Sequence, residues 1–240
     1  MRKSMIIGVV AAAASVAACG EARGQAGPSV QRSFEVGAFD RIAVSGPYQV
    51  DVRTGASPSV TASGPERSIE RMIVEVKGDT LRIRPEKRKG FRLGRWRDHP
   101  VRVSVTVPSL AAADIAGSGD ISVDRVTGES FEGGIAGSGD LRLGSVEVSR
   151  LKMGIAGSGG IRAQGGRAVD AAYEIAGSGD IDAGTIVAQT AAVSIAGSGN
   201  VNANATGDAS VDIAGSGDVR IRGGARCRVS KAGSGNVDCS

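Results

Sequence analysis

The stretch Ile115 to Ile121 reads "IAGSGDI", and its centre, "AGSG", recurs from Ala116, Ala136, Ala156, Ala176, Ala196, Ala214 and Ala232. The spacing is 20 residues four times and then 18 twice. A fixed period of this size marks a solenoid, in which each repeat is one coil of chain stacked on the last. The columns of the repeat tell which way each position faces. Before "AGSG" stand Ile115, Ile135, Ile155, Ile175, Ile195, Ile213 and then Lys231, an apolar column that turns polar where the last coil has no neighbour to bury it. After it come Ile121, Leu141, Ile161, Ile181, Val201, Val219 and Val237, and two residues on Val123, Leu143, Ala163, Ala183, Ala203, Ile221 and Cys239. That alternation is the period of a strand with one buried face.

Composition agrees with such a core. Glycine, at 37 of 240 residues, has about twice its usual share, and aromatics are only 3%. A core of stacked Ile, Val, Leu and Ala needs few large rings. The fold expected is all-β: a single parallel β-helix solenoid of 18–20-residue coils over residues 111–240, preceded by a β-strand and hairpin region over 34–110. In that leading region, "DRIAVSGPYQVDVRTG" alternates Ile42 and Val44, then Val50 and Val52, around the break Ser45-Gly46-Pro47. "IVEVKGDTLRIRPE" sets Lys77-Gly78-Asp79 between two alternating runs, a hairpin signal, and "VRVSVTVPSL" runs on until Pro108 stops it. One helical turn is expected at Ser68 to Met72.

The corner itself invites a chemical reading. Its serines are Ser118, Ser138, Ser158, Ser178, Ser198, Ser216 and Ser234; the position after the second glycine holds Asp120, Asp140, Gly160, Asp180, Asn200, Asp218 and Asn236. Calcium-binding β-rolls use Gly- and Asp-rich nonapeptides, but here the period is about twice that, and Gly160, Asn200 and Asn236 interrupt the carboxylates. A phosphate cradle needs a lysine and a following helix, and here a strand follows each time. The structural reading is that glycines turn the corner while Ser and Asp or Asn bond to backbone or to the same residue one coil away, forming a ladder. Replacing Asp by Asn relieves like-charge repulsion in that column. No serine has a His or Lys at a telling spacing, and His99 is the only histidine, so neither catalysis nor a zinc or other cofactor site is expected.

Residues 1–18 read as an export signal, with Arg2 and Lys3 before the apolar run Met5 to Ala18, which is too short to span a bilayer. "VAAC", Val16 to Cys19, resembles the lipobox of bacterial lipoproteins, which implies lipidation at Cys19; an ordinary cleaved signal peptide is the alternative. Gly20 after that cysteine implies transfer to the outer membrane, with a periplasmic or surface-facing domain. Residues 19–33 then form the lipidated N-terminus and a polar tether. In an oxidising compartment the two remaining cysteines, Cys227 and Cys239, are expected to pair: both fall in inward columns of the last coil.

Charge is polarised. From Cys19 to Leu110 the chain carries net +6, and from Ala111 onward net −4. Much of the excess lies in "RIRPEKRKGFRLGRWRDH", Arg82 to His99, where basic residues including Arg88, Lys89, Arg92, Arg95 and Arg97 interleave with Phe91 and Trp96. The plain reading is a solvated hairpin loop. The functional one is contact with anionic lipid, lipopolysaccharide or acidic glycan through Arg88, Lys89, Arg92, Arg95, Trp96 and Arg97. An export signal removes nucleic acid as a partner.

From about Phe39 to Ser240 the chain resembles the bacterial family called putative auto-transporter adhesin, head GIN domain. The resemblance rests on "FDRIAVSGPYQVDV", "VEVKGDTLRIRP", "VRVSVTVPSL" and the "IAGSGDI" coils together. It implies a right-handed β-helix on an exported protein with an adhesin label, and it brings no catalytic or ligand residues. The basic 82–99 segment departs from the family pattern. The function expected is a non-enzymatic envelope lipoprotein presenting a rigid surface for adhesion or envelope interaction. A glycan-binding or glycan-active β-helix and a self-associating structural module are the alternatives.

Overall fold

The computed structural model describes residues 29–86 and 101–240. Its leading strands are β1 (Ser29–Phe34), β2 (Arg41–Ser45), β3 (Tyr48–Thr54) and β4 (Ser59–Pro65); a single helical turn, α1 (Glu66–Glu70), precedes β5 (Met72–Lys77), β6 (Thr80–Pro85) and β7 (Val101–Val107). The repeat region follows as β8 (Ala112–Gly117), β9 (Asp120–Gly137), β10 (Asp140–Gly157), β11 (Gly160–Gly177) and β12 (Asp180–Gly197). It ends with β13 (Asn200–Ala205), β14 (Asp208–Gly215), β15 (Val219–Arg222), β16 (Arg226–Gly233) and β17 (Val237–Cys239). All are joined in one sheet that winds into a β-solenoid of about six turns.

Each of β9 to β12 is 18 residues long because it carries a whole coil between successive "GSG" corners. The coils pair in parallel and in register: Ile135 lies beside Ile115 and Ile155, and Leu141 beside Ile121 and Ile161. Ile115, Ile135, Ile155, Ile175, Ile195 and Ile213 are all buried, and Lys231 at the end of that column is exposed. The 20-residue period therefore persists because slipping by one residue would turn every core side chain to water.

The corner is where the coils interlock. At the first glycine of each motif φ is positive, +113° at Gly117 and +140° at Gly157, a conformation other residues resist. The second glycine serves close approach instead. A Cβ at Gly159 would land on the carbonyl oxygen of Gly139 and 2.9 Å from Cγ2 of Ile135. The same pair of obstacles recurs at Gly139, Gly179, Gly199 and Gly217. The isoleucine of one coil thus fills the space left by the second glycine of the next, which is why the motif keeps both.

The leading region belongs to the same winding. β2 pairs in parallel with β8, and β3 with β9, so that Val44 lies beside Ile115 and Val50 beside Ile121. Ser45-Gly46-Pro47 stands in the corner column, with φ +102° at Gly46, and β2 and β3 are successive strands around that corner. β6 and β7 add a further parallel coil beyond β2 and β3. Antiparallel strands then cover this end: β5 on β6, β4 on β7, and β1 on β4. Gly78, at φ +65°, turns the β5–β6 hairpin. The helical turn falls two residues earlier than its expected place, because Met72 already opens β5 and is buried there.

Four aromatic rings enter the core after all, Phe39 and Tyr48 in the leading region and Phe131 and Tyr173 in the repeat. Phe131 and Tyr173 are fully buried. Beside Phe131, Gly133 leaves room for Leu141, whose Cδ2 would lie 2.7 Å from a Cβ there. Tyr173 shares its coil with the buried small residues Ala163, Ala168 and Ala171. Its hydroxyl has no hydrogen-bond partner, and burial pushes its pKa well above the ordinary tyrosine value.

A close-approach corner glycine and a glycine in open space predict opposite responses to a methyl group. Gly159→Ala should cost more than about 2 kcal/mol, as overpacking against backbone does. Gly154→Ala, where a Cβ meets nothing within 4 Å, should be neutral or gain up to about 1 kcal/mol. Chemical denaturation of both variants checks this; equal effects would contradict the interlock.

Candidate functional site

The corner residues singled out by the repeat form two columns with different chemistry. Ser118, Ser138, Ser158, Ser178, Ser198, Ser216 and Ser234 are all exposed, and among the described residues none of their hydroxyls takes part in a hydrogen bond. It is the serine backbone that bonds between coils: the N–H of Ser158 donates to Gly137 O at 2.9 Å, that of Ser178 to Gly157 O at 2.9 Å, and that of Ser216 to Gly197 O at 2.9 Å. The ladder of side chains belongs to the next column. Asp120 Oδ1 accepts from the Asp140 N–H at 3.1 Å, Asp180 Oδ1 from the Asn200 N–H at 3.1 Å, Asn200 Oδ1 from the Asp218 N–H at 3.1 Å, and Asp218 Oδ1 from the Asn236 N–H at 2.8 Å. Asn200 Nδ2 also donates to Asp180 Oδ1 at 2.8 Å, so an amide stands between two acids that would otherwise repel. At Gly160 the column has no side chain to accept, and the Asp180 N–H donates to Gly159 O at 3.2 Å instead. Carboxylates committed to backbone amides along the axis are poorly placed to gather around a cation. Among the described residues no group of three His, Cys, Asp or Glu could hold a metal.

Acids and bases elsewhere also pair from coil to coil: Arg150 with Glu129 at 2.7 Å, Lys152 with Glu174 at 3.2 Å, Arg162 with Asp182 at 3.7 Å, and Arg226 with Asp208 at 3.0 Å. These pairs are exposed, and each contributes little to stability. Their regularity matters more, since it orders the outer surface.

A groove that the repeat did not announce runs along the solenoid from Arg41 to Arg228, with a volume of about 1140 Å³. Its floor is Ala171, Ala191 and Ala209, with Ala172 and Ala192 beside them, and Arg150, Lys152, Asp170, Asp208 and Arg226 stand along it. The signal for it is a taper in one inward column: Phe131, Leu151, Ala171, Ala191, Ala209. Near its N-terminal end Arg41 pairs with Glu132 at 3.5 Å, and Asp114 leans over Gly134, its Oδ1 2.5 Å from where a Cβ would be. Burial raises the Asp114 pKa above the ordinary carboxyl value, Glu132 adds to the rise, and Arg41 opposes it.

Cys227 and Cys239 are joined by a disulfide, Cα to Cα 6.6 Å, linking β16 to β17 across the last coil. Cys227 is half-buried and Cys239 exposed, because among the described residues nothing lies over that coil. Cys19, the basic residues Arg88, Lys89, Arg92, Arg95 and Arg97, and Trp96 lie outside the described residues. The strands that flank the basic segment are described: Val44 pairs with Ile83 and Tyr48 with Val101, so the segment is inserted where the neighbouring coil has only Ser45-Gly46-Pro47 between its strands.

Residues 38–225 match the family described as "putative auto-transporter adhesin, head GIN domain". The chain belongs to that family. The head GIN match begins just before β2 and stops just before β16, so it takes in the leading coils and leaves out the disulfide-linked strand. Solved structures share the head GIN fold at low identity. A putative adhesin from Bacteroides fragilis aligns with a TM-score of 0.80 and 22% identity, covering 89% of this chain and 97% of its own. A putative lipid binding protein from Parabacteroides distasonis aligns at 0.67 and 23%, covering 89% and 97%. A putative adhesin from Parabacteroides merdae aligns at 0.65 and 18%, again covering 89% and 97%. No curated protein matches the sequence.

The raised pKa of Asp114 fixes the sign of one prediction. The unfolded chain ionises this carboxyl first, so its contribution to stability falls as pH rises through the ordinary carboxylate range. Asp114→Asn should raise the thermal midpoint at neutral pH and leave it unchanged near about pH 3, below the ordinary carboxyl pKa. Melting curves at the two pH values check this, and an equal gain at both would contradict it.

Proposed function

We propose that this chain is a non-enzymatic, exported outer-membrane lipoprotein, anchored through Cys19, whose rigid solenoid serves adhesion or contact within the envelope. The basic segment meets anionic lipid head groups beside the anchor. One observation carries this reading: the strands flanking the basic segment, β6 and β7, belong to the same end of the solenoid as β1, the first described strand after the tether. Extended, the stretch from Cys19 to Ser29 reaches at most about 35 Å. Arg88, Lys89, Arg92, Arg95 and Arg97 would then sit within that reach of the membrane, with Trp96 at the interface. The description of the Parabacteroides distasonis neighbour as a lipid binding protein is in keeping with it. Coils of uniform length leave no long loops over the repeat faces, which suits a display surface better than a catalytic cleft.

A second reading, a glycan lying along the groove from Arg41 to Arg228, is favoured by that groove's length and mixed polar walls. Self-association by stacking at the N-terminal end is less favoured, since β1, β4 and β5 cover that end with antiparallel pairs.

The test is binding of the soluble domain to vesicles with and without phosphatidylglycerol. Replacing Arg88, Lys89, Arg92 and Arg95 together by Gln should weaken binding to anionic vesicles by about 1 kcal/mol per cation, and raised salt should do the same. Lipopolysaccharide and acidic oligosaccharide as competitors separate the lipid reading from the glycan one. An isotherm unchanged by the four substitutions would reject the proposal.

A further inference from the structure

The C-terminal coil differs from every coil before it. An interior strand such as β10 pairs on both sides, with β9 and with β11, whereas among the described residues β16 pairs with β14 alone and β17 with β15 alone. The inward columns also change character here. Val211 is 1% exposed, but Val229, next in its column, is 46% exposed, and buried Ile213 gives way to exposed Lys231. Lys231, standing where every earlier coil has isoleucine, sets this coil apart from those before it.

Charge changes at the same place. Residues 111–218 carry net −8, whereas residues 219–240 carry Arg220, Arg222, Arg226, Arg228 and Lys231 against Asp238 alone, net +4. Arg226 is held by Asp208 and Arg220 by Asp238, and Lys231 Nζ donates to Gly235 O at 2.6 Å. Arg222 and Arg228 form no ion pair among the described residues. The disulfide ties β16 to β17, so this edge is held in shape.

We propose that the outer edge of β16 is a docking site for an extended acidic peptide segment of a partner protein, added as a further strand on the solenoid. An unpaired strand edge offers backbone N–H and C=O groups to any extended chain, and flanking side chains choose among chains. The solenoid itself supplies the rule of choice. Arg226 lies directly beside Asp208 in the register, as Arg162 lies beside Asp182, so acid meets base from one coil to the next. An incoming strand with carboxylates on its outward positions would extend that pattern over Arg226 and Arg228, and an apolar residue would cover Val229. A second copy of this chain presenting the same edge brings like charges together and is repelled. The site lies beyond the residues that match the family and is independent of the lipid-contact proposal.

The probe is a fluorescent heptapeptide of alternating Glu and Val, titrated into the full chain and read by anisotropy. It should bind, weaken as salt is raised, and slow hydrogen exchange at β16 amides. A Lys/Val peptide and a Glu/Val peptide N-methylated at alternate residues should not bind. Arg228→Glu, which breaks no ion pair of the fold, should reduce affinity about tenfold at an unchanged melting temperature. Equal binding of the N-methylated peptide, or no response to the Arg228 variant, would overturn the proposal. So would concentration-dependent self-association that the Arg228 variant abolishes, because the occupant would then be a second copy.

Discussion

Two backbones pass each other at every "GSG" corner too closely for a side chain to stand between them. The second glycine of one coil lies against the carbonyl of the equivalent glycine below and against the γ2 methyl of that coil's isoleucine. The rest of the fold follows from this approach. It fixes the register of one coil on the next, the register puts Ile over Ile and Val over Leu, and that stacking is the core. Hydrogen bonds from the serine amides then close the corner from coil to coil, so that it is as much part of the sheet as the strands it joins.

The same register governs the surface. Side chains in one column stand about 4.8 Å apart, near enough for like charges to repel and for acid and base or acid and amide to bond. The Asp and Asn column is neutralised from within, by backbone amides and by Asn200. Salt bridges between coils do the same on the other faces. The partner surfaces proposed above lie at the ends: the basic insertion between β6 and β7, and the edge of β16 that is unpaired among the described residues. A solenoid of uniform coils concentrates its interaction chemistry where the repetition stops.

Much of the architecture was legible in the sequence because a solenoid writes its contacts into its period. The column from Ile115 to Lys231 gave the buried position and the coils of the repeat, but not the two leading coils that continue the same winding. The leading region was harder to read, since Ser45-Gly46-Pro47 resembles the corner only in its glycine, and the parallel pairing of β2 with β8 joins residues some seventy apart in sequence. The groove depends on how far successive coils shrink around Ala171, Ala191 and Ala209 in place of Phe131 and Leu151, a difference of volume that motif reading passes over. The serines drew attention as a ladder because they recur. Recurrence followed from what lies beneath them, and it is the neighbouring aspartates whose side chains bond.

Amide hydrogen exchange at the corners tests this account most directly. If the corners are rungs of the sheet, the amides of Ser138, Ser158, Ser178, Ser198 and Ser216 exchange as slowly as those of the adjoining strands, at the rate of global unfolding. Corner amides exchanging at the rate of open loops, while the strands stay protected, would contradict it and would return "GSGD" to being a set of exposed turns.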